Sequence, residues 1–273
     1  MGKGTTTLLN KLKVGIVGCS GTGSPTIEML TRLGIGTIVL VDPDYVDPVN
    51  LNRIVGSTKE DAVHKKSKIE VLQNNIYKID IGTRVVGFEK NVVDIDVIKE
   101  LADFDILFGC VDSAGGRHVL NVISKYYLVP LFYFGVRLDA DENRGIHSIN
   151  GNGSVHFVQP YSFSLLSREV YTIERMKAES IKRTDRGEYE RNVYLAKVGE
   201  SSPAVISVNM LVASTGISDF LARINPYRNE PNSDCKTVRI GIFNGMSYIE
   251  EVSEPCSFFL NTLVNVILFF YWD

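Results

Sequence analysis

Val14-Gly-Ile-Val-Gly-Cys-Ser-Gly-Thr-Gly-Ser-Pro25, then Leu40-Val-Asp-Pro-Asp44, then Asn50-Leu-Asn-Arg53: the reading of this run decides the fold. An apolar strand over Lys13 to Val17 enters a turn carrying Gly18, Gly21 and Gly23, and a helix opens at Ser24 with Pro25 in its first turn. Glycines let backbone N–H groups approach phosphate closely, and a helix N-terminus adds partial positive charge. Asp42 follows at the end of the second strand, where a carboxylate can accept hydrogen bonds from both ribose hydroxyls. That much fits NAD and ATP alike. Asp44, two residues on, lies on the same side if the strand continues, which gives a second carboxylate near the phosphates.

Asn50, Arg53 and Lys68 discriminate between the two nucleotides, because hydride transfer does not call for a cationic cluster straight after the second strand. An Arg clamps phosphate oxygens with a two-pronged fork, a Lys acts as a point charge on the α-phosphate, and Asn50 can position either. The plain alternative for Lys65-Lys66-Ser-Lys68 is the polar face of an amphipathic helix. Cys110-Val-Asp112 ends the fourth strand at the same sheet edge, so Asp112 faces the pocket across the switch point, where a carboxylate can hold Mg²⁺ against phosphate oxygens.

Outward from these motifs the grammar is that of a doubly wound α/β sheet. Apolar, β-branched runs at Thr37 to Val41, Arg84 to Phe88, Ile106 to Cys110 and Leu131 to Val136 alternate with helical patterns at Thr26 to Leu33, Lys66 to Ile79, Val97 to Leu101 and Arg117 to Tyr127. Beyond Gly135, Gly145 to Asn150 and Gly153 to Val158 read as short strands around a Gly151-Asn152 hairpin turn, so the sheet continues antiparallel. Residues 162–199 are charged, with little core pattern, and read as an excursion over the sheet. A helix starting at Ser202-Pro203 runs to about Ile224, and strands at Thr237 to Phe243 and Ser247 to Val252 flank Asn244-Gly245. The division is residues 1–136 as a nucleotide-binding half and residues 137–273 as the antiparallel extension of the same domain.

Composition narrows the remaining classes. A chain of 273 residues buries a substantial core, and a net charge of −3 leaves no electrostatic footprint for nucleic acid. The four cysteines, Cys19, Cys110, Cys235 and Cys256, form no Cys-x-x-Cys pair, so neither a zinc ribbon nor a disulfide framework is expected and a reducing cytoplasm suits them. The N-terminal residues lack the apolar core of a signal peptide. Phe258 to Trp272 is apolar but shorter than the ~20 residues that span a bilayer, so burial or an oligomer contact is the expectation. His64, His118, His147 and His156 show no metal-ligand spacing. Arg117 can hold a loop, and Arg137 can meet the acidic end of a substrate tail.

In combination these motifs resemble the ThiF/MoeB/HesA superfamily, the adenylating domains related to ubiquitin-activating enzymes. The resemblance rests on the glycine turn Gly18-Cys-Ser-Gly-Thr-Gly-Ser24, the element Val41-Asp-Pro-Asp-Tyr-Val-Asp-Pro-Val-Asn-Leu-Asn-Arg53, Lys68 and the Asp112 to Arg117 segment. It is close over Lys13 to Gly135. It implies a Rossmann-like fold with a crossover loop, at about 162–199. It also implies that Gly18, Gly21 and Gly23 cradle the phosphates, with Ser20 where a further glycine is common, and that Asp42 binds the ribose. Asn50, Arg53 and Lys68 would then handle the triphosphate, with Asp112 on magnesium and Asp44 beside it. The implied reaction is ATP-dependent adenylation of the C-terminal carboxylate of a ubiquitin-like (β-grasp) protein or peptide ending in glycine, within a homodimer and with a conjugating enzyme downstream. Cys256 is the candidate thioester nucleophile, with a small buried residue as its plainer reading. An NAD-dependent oxidoreductase and a non-catalytic scaffold binding a β-grasp partner stay open. So does activation of a small-molecule or tRNA-nucleoside carboxylate on the same fold.

Overall fold

The structure is a computed structural model, and it describes residues 2–141, 148–159, 163–184, 205–225, 227–241, 245–250 and 256. The strands are β1 (Lys13–Val17), β2 (Thr37–Val41), β3 (Arg84–Phe88), β4 (Ile106–Gly109), β5 (Leu131–Asp141), β6 (Ser148–Val158), β7 (Thr237–Gly241) and β8 (Met246–Ile249). They form one eight-stranded sheet in the order β3-β2-β1-β4-β5-β6-β7-β8. The pairs from β3 to β5 are parallel and those from β5 to β8 antiparallel. Chain order reverses between β1 and β4, and a crevice outside the strand ends at such a switch point is where α/β sheets bind ligands.

The helices are α1 (Lys3–Leu9), α2 (Gly23–Arg32), α3 (Lys59–Val63), α4 (Lys68–Ile79), α5 (Ile95–Leu101), α6 (Ala114–Tyr126), α7 (Ile173–Thr184) and α8 (Ile206–Ile224). Successive strand residues point to opposite faces, and both faces here are apolar. Ile16, Leu40, Phe108, Phe132 and Phe134 pack with Ile27 and Leu30 of α2, Ile69 and Leu72 of α4, and Val212 and Phe220 of α8. Val17, Val39, Leu107, Leu131 and Tyr133 pack on the other side with Val97 of α5 and Leu120 and Ile123 of α6. Phe108 and Phe132 stack with centroids 5.3 Å apart while Phe220 meets Phe108 edge-on, a geometry that ring quadrupoles favour and that seats α8 against the sheet centre. No described helix is long and apolar enough to cross a membrane. The apolar stretch at 258–272 lies outside the described residues.

Two local expectations are corrected. Gly151-Asn152 is no turn: β6 runs straight through it, pairing Gly151 with Leu138 and Asn152 with Arg137. Gly153, just beyond, serves packing, because a Cβ there would come within 2.4 Å of Val212 on α8. Residues 163–184 are likewise more than a charged excursion. Leu165 and Tyr171 are buried in the core on the α6 side, and α7 follows. The rest of the expected loop, 185–199, lies outside the described residues, as do the start of the long helix at Ser202-Pro203, His147 and Asn244.

Candidate active site

The turn after β1 is shaped by its glycines. Gly18 adopts φ +92°, where side chains are strained, and donates its N–H to Val41 O at 2.9 Å. A Cβ on Gly23 would sit 1.8 Å from Gly18 O, so the start of α2 closes tightly onto the end of β1. Ser20 contributes through its backbone, its carbonyl accepting from Ser24 N–H at 2.8 Å. A Cβ on Gly18 would also lie 2.5 Å from Cys110 O, which brings the end of β4, and Asp112 two residues on, to the border of the turn. Asp112 is exposed there.

Asp42 organises the floor. Its Oδ2 accepts the Cys19 N–H at 2.7 Å and its Oδ1 accepts the Asp44 N–H at 2.9 Å, so one carboxylate ties the glycine turn to the loop after β2. Burial raises its pKa; the nearby Lys68 ammonium and the two N–H donors oppose that shift. Lys68 opens α4 behind an N-cap, Ser67, whose hydroxyl accepts from Glu70 N–H. Its ammonium lies 2.7 Å from Asp44 Oδ2 and 3.7 Å from Asp42 Oδ1. The two carboxylates differ in kind: the Asp42 side chain is 6 % exposed and that of Asp44 is 65 % exposed. Asp42 is thus the permanent counterion, and Asp44 the partner that an incoming anion can replace.

Asn50 and Arg53 occupy the next loop. Asn50 ends a short 3₁₀ helix (Pro48–Asn50), and its Oδ1 accepts the Asp47 N–H in a capping box. At least one end of this amide is therefore structural. Arg53 is half-buried and hydrogen-bonds Val49 O at 3.0 Å and Asn52 Oδ1 at 3.4 Å; none of the ion pairs found among the described residues includes it. Sequence reasoning missed Ser24, which joins this loop to the glycine turn. Its hydroxyl donates to Arg53 O and accepts from Val55 N–H at 3.0 Å.

The remaining assignments fall away from this floor. Burial raises the Cys19 thiol well above its usual value, with Asp42 adding to the shift, and pushes the Cys110 thiol up to about 12. Both are protonated at neutral pH, as packing residues are. Cys256 is buried. Arg117 holds the loop, donating to Val170 O at 2.8 Å while lying over the Tyr133 ring. Asn121 Oδ1 accepts from Leu165 N–H, and the carboxylate of Glu179 on α7 accepts from Ala114 and Gly115 N–H at the start of α6, directly after Asp112. Glu179 carried no signal in the sequence beyond being one charge among many. No group of three or more His, Cys, Asp or Glu able to hold a metal occurs among the described residues.

A doubly wound sheet with this switch-point network defines a nucleotide-binding α/β protein. Residues 1–229 match the ThiF family, and the chain belongs to it. Among curated proteins it is 28% identical over 124 residues to the adenylyltransferase and sulfurtransferase UBA4 of Meyerozyma guilliermondii, covering 45% of this chain and 28% of that protein. It is 30% identical over 165 residues to ubiquitin-like modifier-activating enzyme 5 of Aedes aegypti, covering 56% of this chain and 38% of that protein. The chain thus spans well under half the length of these relatives. Among solved structures, E. coli MccB with ATP superposes with a TM-score of 0.70 at 21% identity, covering 93% of this chain and 68% of that one. MccB with MccA-N7isoASN gives 0.73 at 20% identity, again covering 93% and 68%. These two likenesses establish the fold.

Proposed function

We propose that this chain uses ATP to adenylate the C-terminal carboxylate of a ubiquitin-like protein or peptide. The observation that carries the proposal is the Lys68 ammonium, buried below the glycine turn between a permanent counterion, Asp42, and a replaceable one, Asp44. A phosphate arriving over the turn takes the place of Asp44, and the attraction is strong because the lysine is shielded from water. Arg53 adds a second cation whose hydrogen bonds, to Val49 O and Asn52, leave most of its donors for phosphate. Asp42 accepts from the ribose while holding Cys19 N–H and Asp44 N–H in place.

A substrate carboxylate oxygen attacks the α-phosphorus, a new O–P bond forms, the bond to the bridging oxygen breaks, and pyrophosphate leaves. The protein aligns two anions and offsets their charge. Mg²⁺ is ordinarily held by one or two carboxylates together with substrate phosphates, and the exposed Asp112, with Asp44 as the second acid, fits that demand. When bound, the ion neutralises phosphate charge. Residues 1–136 then serve the nucleotide and residues 137–273 the acyl partner. The relatives, an adenylyltransferase and sulfurtransferase and a ubiquitin-like modifier-activating enzyme, support this reading, as does the structure of MccB in complex with N-formylated MccA. The thiols of this chain are free, which suits the cytoplasm. A homodimer, a conjugating enzyme and a thioester on Cys256 belong to the same proposal, and the burial of Cys256 makes the thioester its weakest member.

The test is pyrophosphate–ATP exchange with candidate β-grasp proteins and peptides ending in glycine. Exchange that depends on the partner's free carboxylate and is lost in Asp112→Ala supports the proposal. No exchange with any carboxylate, together with unchanged ATP binding in that variant, contradicts it.

A further inference from the structure

Resting on the adenylation reading, we infer that Asn209 is a phosphate-binding residue contributed by the second half of the chain. Asn209 sits on the first turn of α8 and is 5% exposed. Its Nδ2 is buried with no hydrogen-bond partner among the described residues, although a buried amide without an acceptor is a standing cost to the folded protein. The amide is pressed against the glycine turn: a Cβ on Gly21 would lie 2.7 Å from Nδ2 and 3.3 Å from Oδ1. The absence of a side chain at Gly21 is therefore what admits Asn209.

The surroundings favour an anion. Among the described residues, no side chain caps the N-terminus of α8 or that of α2. The two helices pack against each other, so two uncapped helix starts meet at Gly21, each contributing partial positive charge. The phosphate cradle is then two-sided, with the turn and α2 on one flank and Asn209 with α8 on the other. A phosphate oxygen seated at the turn supplies the acceptor that the chain withholds from Nδ2. This ties α8 to nucleotide occupancy.

Calorimetric titration with Mg²⁺ and the non-hydrolysable α,β-methylene ATP, and separately with adenosine, tests the assignment. Asn209→Ala is expected to weaken the ATP analogue about tenfold and to leave adenosine unchanged, the usual size for a hydrogen bond to a charged group. Asn209→Asp, nearly the same shape but negative, is expected to weaken it further. Asn209→Ser, which keeps a small donor, checks the result should the alanine variant misfold. Wild-type-like binding of the analogue by the folded variants would overturn the inference, as would equal losses for the analogue and adenosine, which would mark a purely structural residue. Failure of the wild-type chain to bind the analogue would overturn the adenylation reading itself.

Discussion

The parallel and antiparallel halves of the sheet hold their polar groups in different ways. Around β1, β2 and β4 the side chains of the candidate site are bound to one another and to the backbone: Asp42 to Cys19 and Asp44, Lys68 to both acids, Ser24 to Arg53 and Val55. Next to β5 and β6, residues 163–184 instead bury Leu165 and Tyr171 and are tied down by dispersed contacts, Arg117 to Val170 O, Asn121 to Leu165, Glu179 to the start of α6 and Arg168 to Phe157 O and Lys236 O. A reacting phosphate calls for fixed geometry, whereas a chain tail entering over a sheet calls for a cover that can shift. On the proposed function, the nucleotide half is accordingly preorganised, and the partner half is attached.

The contrast predicts where substitutions act. The largest effect belongs to Asp112→Ala, which is expected to lower partner-dependent pyrophosphate exchange by about 10³-fold, the scale of removing one electrostatic contact to a reacting group. Because Asp112 is exposed, circular dichroism and thermal unfolding should stay close to wild type. Gly23→Ala acts on stability instead. Its Cβ has no room beside Gly18 O, at 1.8 Å, and a loss of about 3 kcal/mol is expected by chemical denaturation, the upper range for overpacking.

In the attached half, Arg117→Ala removes the tie to Val170 O. It is expected to raise KM for the acyl partner about tenfold, in line with a hydrogen bond to a charged group. ATP affinity should not move, and proteolysis within 163–184 should quicken. An equal loss of ATP affinity would erase the distinction between the halves.

The smallest effect concerns Lys125 near the far end of α6, whose pKa burial lowers to about 8, with Arg168 adding to the shift; its ammonium donates to Gln159 O. An unfolded lysine titrates near ~10.4, so between the two values the folded chain has released a proton that the unfolded chain still holds. Stability from this group therefore rises as pH climbs through that window, and the cost of the buried charge is fully present below it. Thermal midpoints measured across the window should show the rise in wild type and lack it in Lys125→Met.

Legibility in the sequence followed the same divide. The bounds of β1 and β2 could be read directly, because parallel strands buried on both faces leave unbroken apolar runs between glycine and acidic punctuation. Asp42, Lys68 and Asp112 could be picked out from their places at strand and helix ends. The capping role of Asn50 could not, since a capping box within a Pro-rich loop looks the same as a ligand asparagine. In the second half, Gly151-Asn152 has the composition of a turn, but β6 continues through it, paired with Leu138 and Arg137, and the next glycine, Gly153, packs closely against α8. Residues 163–184 hid their structure in another way. Only Leu165, Tyr171 and a few neighbours reach the core, and widely spaced apolar residues leave no periodic pattern. Asn209 is one of several polar residues in α8, with Ser207, Ser214, Thr215, Ser218, Asp219 and Arg223, and only the close approach of Gly21 gives it meaning.

The central claim is that the glycine turn, Asp42 and Lys68 form a cradle for the phosphates of ATP and not a dinucleotide site. Calorimetric titration of the wild-type and Lys68→Ala chains with MgATP and with NADH tests it directly. The account predicts that MgATP binds the wild-type chain, that the variant binds it at least about tenfold more weakly, and that NADH does not compete. Tight NADH binding undisturbed by MgATP, or MgATP affinity unchanged by Lys68→Ala, would contradict it.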